Sequence, residues 1–198
     1  MKRVCVYCGS GVGARAEYAD AACALGEVLA ERGLGLVFGG GKIGMMGVLA
    51  RTMLERGGEV IGVIPRALLE QGLAQDDVTS LRVVETMHER KALMAELSDA
   101  FMALPGGLGT MEEFFEILTW SQLGLHAKPC GLLNVGSYFD HLIGFIDHAV
   151  REGFLEAAHR DLFVVDQRPD ALLDKLASYQ APRGDKVRWA LRGDCALE

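Results

Sequence analysis

The chain lacks any long apolar run: no stretch approaches the roughly 18 uninterrupted apolar residues of a membrane span, so no membrane partner is expected. It also lacks a run of lysines and arginines. With 20 Lys and Arg against 27 Asp and Glu, the formal net charge is −7, which disfavours nucleic-acid binding through a broad basic surface. Any anionic ligand has to be held locally. Cysteines are few and odd in number. Cys5, Cys8, Cys23, Cys130 and Cys195 are scattered, mostly inside apolar runs, which suits reduced buried thiols better than a disulfide framework. Cys5 and Cys8 form a Cys-x-x-Cys, but along a strand residues three apart point to opposite faces, which argues against a shared metal or redox role. His, Cys and carboxylates nowhere cluster at metal spacing, so neither a metal nor a cofactor is expected. Residues 1–8 run directly into strand-like sequence without the apolar region and cleavage site of a signal peptide, and a cytoplasmic location is expected.

What is present is a globular, turn-rich composition: half of the 198 residues are hydrophobic and 25 are glycine. That length fits one domain with a full core of its own. The domain is expected over residues 1–180, with 181–198, where the pattern fades, as a loosely ordered tail. Short continuous apolar runs occur at Arg3 to Tyr7, Gly35 to Phe38, Val60 to Ile64, Ala100 to Leu104, Cys130 to Asn134 and Leu162 to Val165. Between them, Tyr18 to Arg32, Ile43 to Glu55, Met87 to Leu97, Met111 to Leu123 and Tyr138 to Glu152 carry helical periodicity. Strands without polar alternation suit a sheet covered on both sides. The expected fold is α/β: a Rossmann-like, doubly wound parallel sheet with helices on both faces, which binds ligands at the carboxyl ends of its strands.

Glycine-rich turns fall at those ends. Leu104 to Glu113 reads Leu-Pro-Gly-Gly-Leu-Gly-Thr-Met-Glu-Glu, between an apolar strand and an amphipathic helix. Free amides at a helix start make an anion site, Gly106, Gly107 and Gly109 allow close approach, and Thr110 adds a hydroxyl. Glu113, expected in the first helical turn, would repel a phosphate unless it faced a sugar or a reacting bond. Gly9-Ser10-Gly11 follows the first strand. Gly39 to Gly47 follows the second and contains a Gly-x-Gly-x-x-Gly. A dinucleotide enzyme would place an acid at the end of the next strand, where this chain has Pro65-Arg66, so the glycines are read as lining a nucleotide or as tight packing, not as an NAD site.

Arg90 and Lys91 are about 100° apart on their helix, so at most one points squarely into a site. From local sequence alone they read as a solvated face partnered by Glu89 and Glu96, with His88 exposed or capping. Glu112 and Glu113 are equally consistent with acids placed for the helix dipole. Thr119, Trp120, Ser121 and Gln122 fit a dimer face or a pocket wall equally well. Met45, Met46, Met87 and Met94 are expected to pack.

Taken together, Cys8-Gly9-Ser10, Gly39-Gly40-Gly41 with Gly44, Met46 and Gly47, Gly62-Val63-Ile64-Pro65, Met87-His88 with Arg90-Lys91, Ser98-Asp99-Ala100-Phe101, and Pro105-Gly106-Gly107 with Gly109-Thr110 and Glu113 resemble the Lonely Guy family. The likeness continues through Thr119-Trp120 and Gln122-Leu123-Gly124, Lys128-Pro129 and Gly131 to Asn134, as far as Glu152-Gly153-Phe154. Its members are cytokinin riboside 5′-monophosphate phosphoribohydrolases, often labelled lysine decarboxylases. The resemblance implies an N-glycosyl hydrolase that cleaves adenosine 5′-monophosphate, N6-prenylated or not, to the free base and ribose 5-phosphate.

It implies Arg90 and Glu113 as catalytic residues. It also implies substrate binding through Arg90, Lys91, Gly107, Leu108, Gly109, Thr110, Met111, Glu112, Glu113 and Thr119, beside the Ser10, Gly40, Gly41 and Gly106 turns. A homodimer, or a higher homo-oligomer, with active sites near the subunit interface is implied too. One departure stands out: where plant members carry a substrate-contacting glutamate, this chain has Gly72, with Glu70 two positions earlier. Nothing resembles a pyridoxal phosphate lysine site. The alternative reading is a nucleotide or molybdenum-cofactor carrier of similar fold without catalysis.

Overall fold

The computed structural model describes residues 1–182. Its strands are β1 (Arg3–Tyr7), β2 (Gly35–Phe38), β3 (Val60–Pro65), β4 (Ser80–Val84), β5 (Ala100–Ala103), β6 (Cys130–Leu133) and β7 (Phe163–Asp166). They form one sheet in the order β4-β3-β2-β1-β5-β6-β7, with every neighbouring pair parallel. The helices are α1 (Ala16–Glu31), α2 (Gly44–Glu55), α3 (Arg66–Glu70), α4 (Met87–Leu97), α5 (Leu108–Gln122), α6 (Asp140–Arg151) and α7 (Pro169–Ala177).

Both faces of the inner part of the sheet are buried, which is why β1, β2, β3, β5 and β6 are apolar almost without a break. Val4, Val6 and Cys8 face a core completed by Leu25 and Leu29 of α1, Leu49 and Met53 of α2, and Leu172 of α7. Cys5 and Tyr7, the alternate positions, face a second core with Met94 of α4, Phe114 and Ile117 of α5, and Ile146 of α6. Cys5 and Cys8 therefore sit in different layers, and Cys5, Cys8, Cys23 and Cys130 are all free thiols. Each fully buried Leu or Phe contributes about 1.5–3 kcal/mol by leaving water. The expected doubly wound fold is present. No helix among the described residues is long and apolar enough to cross a membrane.

The differences from the sequence reading lie at the edges. β4 was not among the expected strands: it pairs only with β3, and its Ser-Leu-Arg-Val-Val is half exposed, so it carries no continuous apolar run. α7 was also missed, although Pro169 opens it and Leu172, Leu173 and Leu176 are buried. The expected tail lies, from residue 183 onward, outside the described residues. Another difference touches the site. α5 starts at Leu108 and not at Met111, because Gly109 and Thr110 carry no hydrophobic period yet take helical conformation. Glu113 is therefore in the second turn, one turn deeper than expected.

Strand order reverses between β1 and β5, since β1 leads on to β2 on one side while β5 leads to β6 on the other. The loops after β1 and β5 separate there and leave a crevice.

Candidate active site

The turn after β5 forms one wall of that crevice. Gly107 is the N-cap of α5 and has no side chain to offer, so the amides of Leu108, Gly109 and Thr110 leave the helix start without a side-chain acceptor. Thr110 is buried and turned back on the turn: a Cβ at Gly106 would lie 2.2 Å from its Oγ1 and 2.7 Å from the Gly9 nitrogen. Only glycine fits there. At Gly107 and Gly109, by contrast, a Cβ would meet nothing within 4 Å, so the outer side of the cradle is open. The turn is tied down by Gly9 N donating to Pro105 O (3.1 Å) and by the Tyr138 hydroxyl donating to Gly106 O (2.6 Å).

The opposite wall comes from α4. Thr86 caps this helix by accepting from Glu89 N, while the Glu89 carboxylate accepts from Glu85 N, a reciprocal arrangement that sets where the helix begins. Arg90 and Lys91 then fall one turn before Met94 and Ala95, on the face that docks against the sheet, and all four are buried. The reading of the two cations as a solvated face is therefore corrected. Their ion-pair partners are Glu113, Glu112 and Glu116 on α5, not Glu89 or Glu96. His88 is exposed.

Arg90 Nη1 donates to Glu113 Oε1 at 3.1 Å, with 10% and 11% of the two side chains exposed. Arg90 Nε donates to Val63 O and Nη2 to Gly39 O, each at 3.1 Å. Burial raises the Glu113 pKa above the ordinary glutamate value, and the Arg90 charge opposes the rise without cancelling it. Lys91 turns to the flank, with Nζ on the carboxylates of Glu112 and of Glu116 (2.9 Å). Burial works against its charge, but these two acids outweigh it and its pKa is raised. The adjacent pairs thus divide: Arg90 and Glu113 are shielded together, while Glu112 is half exposed.

A cleft of about 240 Å³ joins the two walls, lined by Ser10, Arg90, Glu112, Glu113 and the Gly107 to Thr110 cradle. Cys8, Met46 and Met87 complete it. Met45 and Met94 are core, as expected, but Met46 and Met87 are not simply packing residues. Sequence missed them, and Cys8, as cleft residues because an apolar side chain carries no local mark of facing a ligand. Burial pushes the Cys8 thiol well above its ordinary range, so it presents a neutral surface. Ser10 and Gly107 also line a second recess of about 350 Å³ that includes Gly106, Tyr18 and Tyr138.

Other expected residues lie off the cleft. Gly40 and Gly41 form the loop behind Met46, and neither Lys91 nor Met111 lines the cavity. Thr119 is exposed, with its hydroxyl donating to Phe115 O. Six residues beyond Glu113, it is about 9 Å further along the helix axis. Glu70 is exposed at the end of α3, and Gly72 follows at φ +69° with open space around it; neither lines the cleft.

A family model described as "Possible lysine decarboxylase" matches residues 46–176. The probable cytokinin riboside 5′-monophosphate phosphoribohydrolase LOGL9 of Oryza sativa subsp. japonica is 51% identical over 179 residues, covering 90% of this chain and 79% of the relative. The cytokinin riboside 5′-monophosphate phosphoribohydrolase LOG1 of Arabidopsis thaliana is 48% identical over 187 residues, covering 94% and 87%. Among solved structures, the molybdenum cofactor carrier protein from Chlamydomonas reinhardtii superposes with a TM-score of 0.69 over 90% of this chain and 99% of that one. At 22% identity that likeness shows the fold alone. Sequence identity near one half over most of both chains, with the Arg90 and Glu113 motifs in one cleft, places this protein in the Lonely Guy family of cytokinin riboside 5′-monophosphate phosphoribohydrolases.

Proposed function

We propose that the chain hydrolyses the N-glycosidic bond of adenosine 5′-monophosphate, with or without an N6-prenyl group, to the free base and ribose 5-phosphate. The observation that carries this reading is the shielded Arg90–Glu113 pair, 3.1 Å apart, beside the open start of α5. In the reaction the C1′–N9 bond breaks and its electron pair leaves with the base. Water oxygen bonds to C1′, and of its two protons one stays on the new hydroxyl while the other balances protonation of the base. The sugar passes through oxocarbenium character, which an adjacent carboxylate stabilises. Glu113 is that carboxylate. Burial raises its pKa and places a fixed negative charge where it acts strongly on a developing positive one.

In this reading Ser10 and the amides of Gly107 to Thr110, backed by Gly106, hold the 5′-phosphate, whose binding energy positions the ribose. Arg90 uses one N–H on Glu113 and keeps others for phosphate, ribose or base. Lys91 acts at one remove by holding Glu112 at the rim. Gly40, Gly41 and Met111 support the walls. The protein works as a homodimer: Leu108 (90% exposed) and Met87 at the cleft, with Phe115, Leu123 and Leu125 on and just past α5, present exposed apolar side chains. Thr119, exposed on this surface, reaches a substrate only across such a contact.

The test is to incubate the protein with AMP, N6-isopentenyl-AMP and the corresponding nucleosides, and to measure free base. Release from the monophosphates and not from the nucleosides is expected, because a glycine turn at a helix start is built for an anion. Tight nucleotide binding without release of base would instead favour the carrier reading.

A further inference from the structure

Arg90 is held by more than its acid partner. Its Nε bonds to Val63 O, at the carboxyl end of β3, and its Nη2 to Gly39 O, just past β2, while Nη1 reaches Glu113. Two rigid strand ends thus hold the guanidinium from one side and α5 from the other. Of its five N–H groups three meet oxygen acceptors, and Nη1 also lies 3.9 Å from Met87 Sδ, a weak acceptor on the cleft wall.

The space this requires is taken from Gly39. A Cβ built on Gly39 would lie 1.8 Å from Arg90 Nη2, 3.0 Å from its Cζ and 3.4 Å from Met46 Sδ. The backbone does not ask for glycine there: Gly40 has φ +73°, but Gly39 is not among the positive-φ residues, and alanine can take its conformation. Two neighbouring glycines are therefore present for different reasons, Gly40 for its dihedral and Gly39 for the arginine. The sequence Gly39-Gly40-Gly41 resembles the start of a dinucleotide loop, yet its first glycine makes room for a side chain of the protein itself.

We propose that Gly39 is a positioning residue of the active site, whose missing side chain forms the slot that locks the Arg90 guanidinium between the strand ends and Glu113. This deepens the hydrolase reading and rests on it for the role of Arg90. A methyl group at residue 39 displaces the flexible end of Arg90 and leaves the strands in place. The fold tolerates the change and the site does not. Displacement of a catalytic group by about 1 Å costs on the order of a hundredfold in rate.

The experiment is a double-mutant cycle of Gly39→Ala, Arg90→Ala and the combination, read by AMP hydrolysis, its pH profile and thermal unfolding. Gly39→Ala alone is expected to lower kcat about a hundredfold, with a smaller change in KM, and to lower Tm. Moving Arg90 away from Glu113 removes the stronger of the two cations that oppose burial, Lys91 being the weaker, while Glu112 and Glu116 act with burial, so the acid limb of kcat/KM moves to higher pH in Gly39→Ala. In the Arg90→Ala background the same methyl enters vacated space: residual kcat changes by less than about threefold and Tm is unchanged or raised. This background also keeps the test open if Gly39→Ala alone folds poorly. Equal loss of Tm in both backgrounds, or near-normal kcat in Gly39→Ala, overturns the proposal. The two readings fail separately. An active Arg90→Ala removes the catalytic role of the arginine, whereas an inactive Arg90→Ala beside a normal Gly39→Ala removes only the slot.

Discussion

The sheet has two ends, and the larger cavity is at the one away from the proposed site. At the amino ends of β1 and β2 a hollow of about 620 Å³ is lined by Arg3, Arg32, Gly35 and Glu59 among others. At the carboxyl ends the site cleft measures about 240 Å³. In the first, α1 and α2 come to their carboxyl ends, and the charges answer one another at the surface. Arg3 pairs with Glu59, their side chains 37% and 41% exposed, and the Asp99 carboxylate accepts from the backbone nitrogens of Lys2 and Arg3. In the second, helices begin, amides face outward, and Arg90 with Glu113 is shielded from water. Volume does not make a site. In a parallel sheet every strand points the same way, so the helix starts and their partial positive charges gather at one end only.

Five substitutions and one pH measurement probe that contrast. The largest effect is expected at the carboxyl end from Glu113→Gln, which keeps the shape and removes the charge that the oxocarbenium needs. kcat should fall by at least about a thousandfold, equivalent to roughly 4 kcal/mol, with nucleotide binding retained. Near-normal turnover in that variant would break the assignment. Next comes Arg90→Ala, expected to lower kcat/KM at least about a hundredfold, or roughly 2.7 kcal/mol. Arg90→Lys should stay clearly impaired, because lysine cannot supply the planar fork that spans Val63 O, Gly39 O and Glu113 at once. Wild-type kinetics in the lysine variant would reduce the requirement to a diffuse positive potential.

The pH profile sharpens the comparison without a mutation. In the proposed mechanism Glu113 acts ionised, and its pKa lies above the usual 4.5, so the acid limb of kcat/KM should fall above ordinary carboxylate pH. The sign for stability is the reverse. A carboxyl pKa raised by folding adds stability below the unfolded value, and this is lost as pH rises through the folded value. Glu113→Gln should flatten that slope in unfolding measured across acid pH. A slope unchanged in the variant would place the ionisation elsewhere.

Glu112→Gln, one residue away, should cost at most about tenfold in kcat, since Glu112 is half exposed and engaged by Lys91. If it proves the essential acid, the roles of the two pairs are exchanged. The smallest effect belongs to the other end of the sheet. Glu59→Gln should leave kcat and KM unchanged and cost no more than about 1 kcal/mol of stability, as exposed ion pairs do. A kinetic effect there would mean that the two ends communicate.

Much of this was legible before the fold was known. Six of the seven strands announce themselves by their apolar runs, five of them almost wholly buried and the edge strand β7 partly so; β4, the other edge strand, does not, because its run is half exposed and broken by Ser80 and Arg82. The Gly106 turn is legible because its residue types have few uses at a strand-to-helix junction. The burial of Arg90 and Lys91 is not, since α4 is a polar helix by composition and nothing local says that its cations face inward. Only the motif likeness to the family pointed there. The apolar lining from Cys8, Met46 and Met87 is silent in sequence for the same reason: local patterning reports preference, not neighbours.

The sequence by itself determined the class of fold and the glycine turns at the carboxyl ends of the strands, because these follow from hydrophobic period and from glycine at helix starts. Which carboxylate meets which cation was decided only by the packing of α4 on α5. The one-turn-earlier start of α5 carries Glu113 inward to Arg90 and leaves Glu112 at the rim with Lys91. That the first glycine of the Gly39 loop yields its space to Arg90 was decided there too, because the contact joins residues 51 positions apart, and no local rule in a chain links groups so distant.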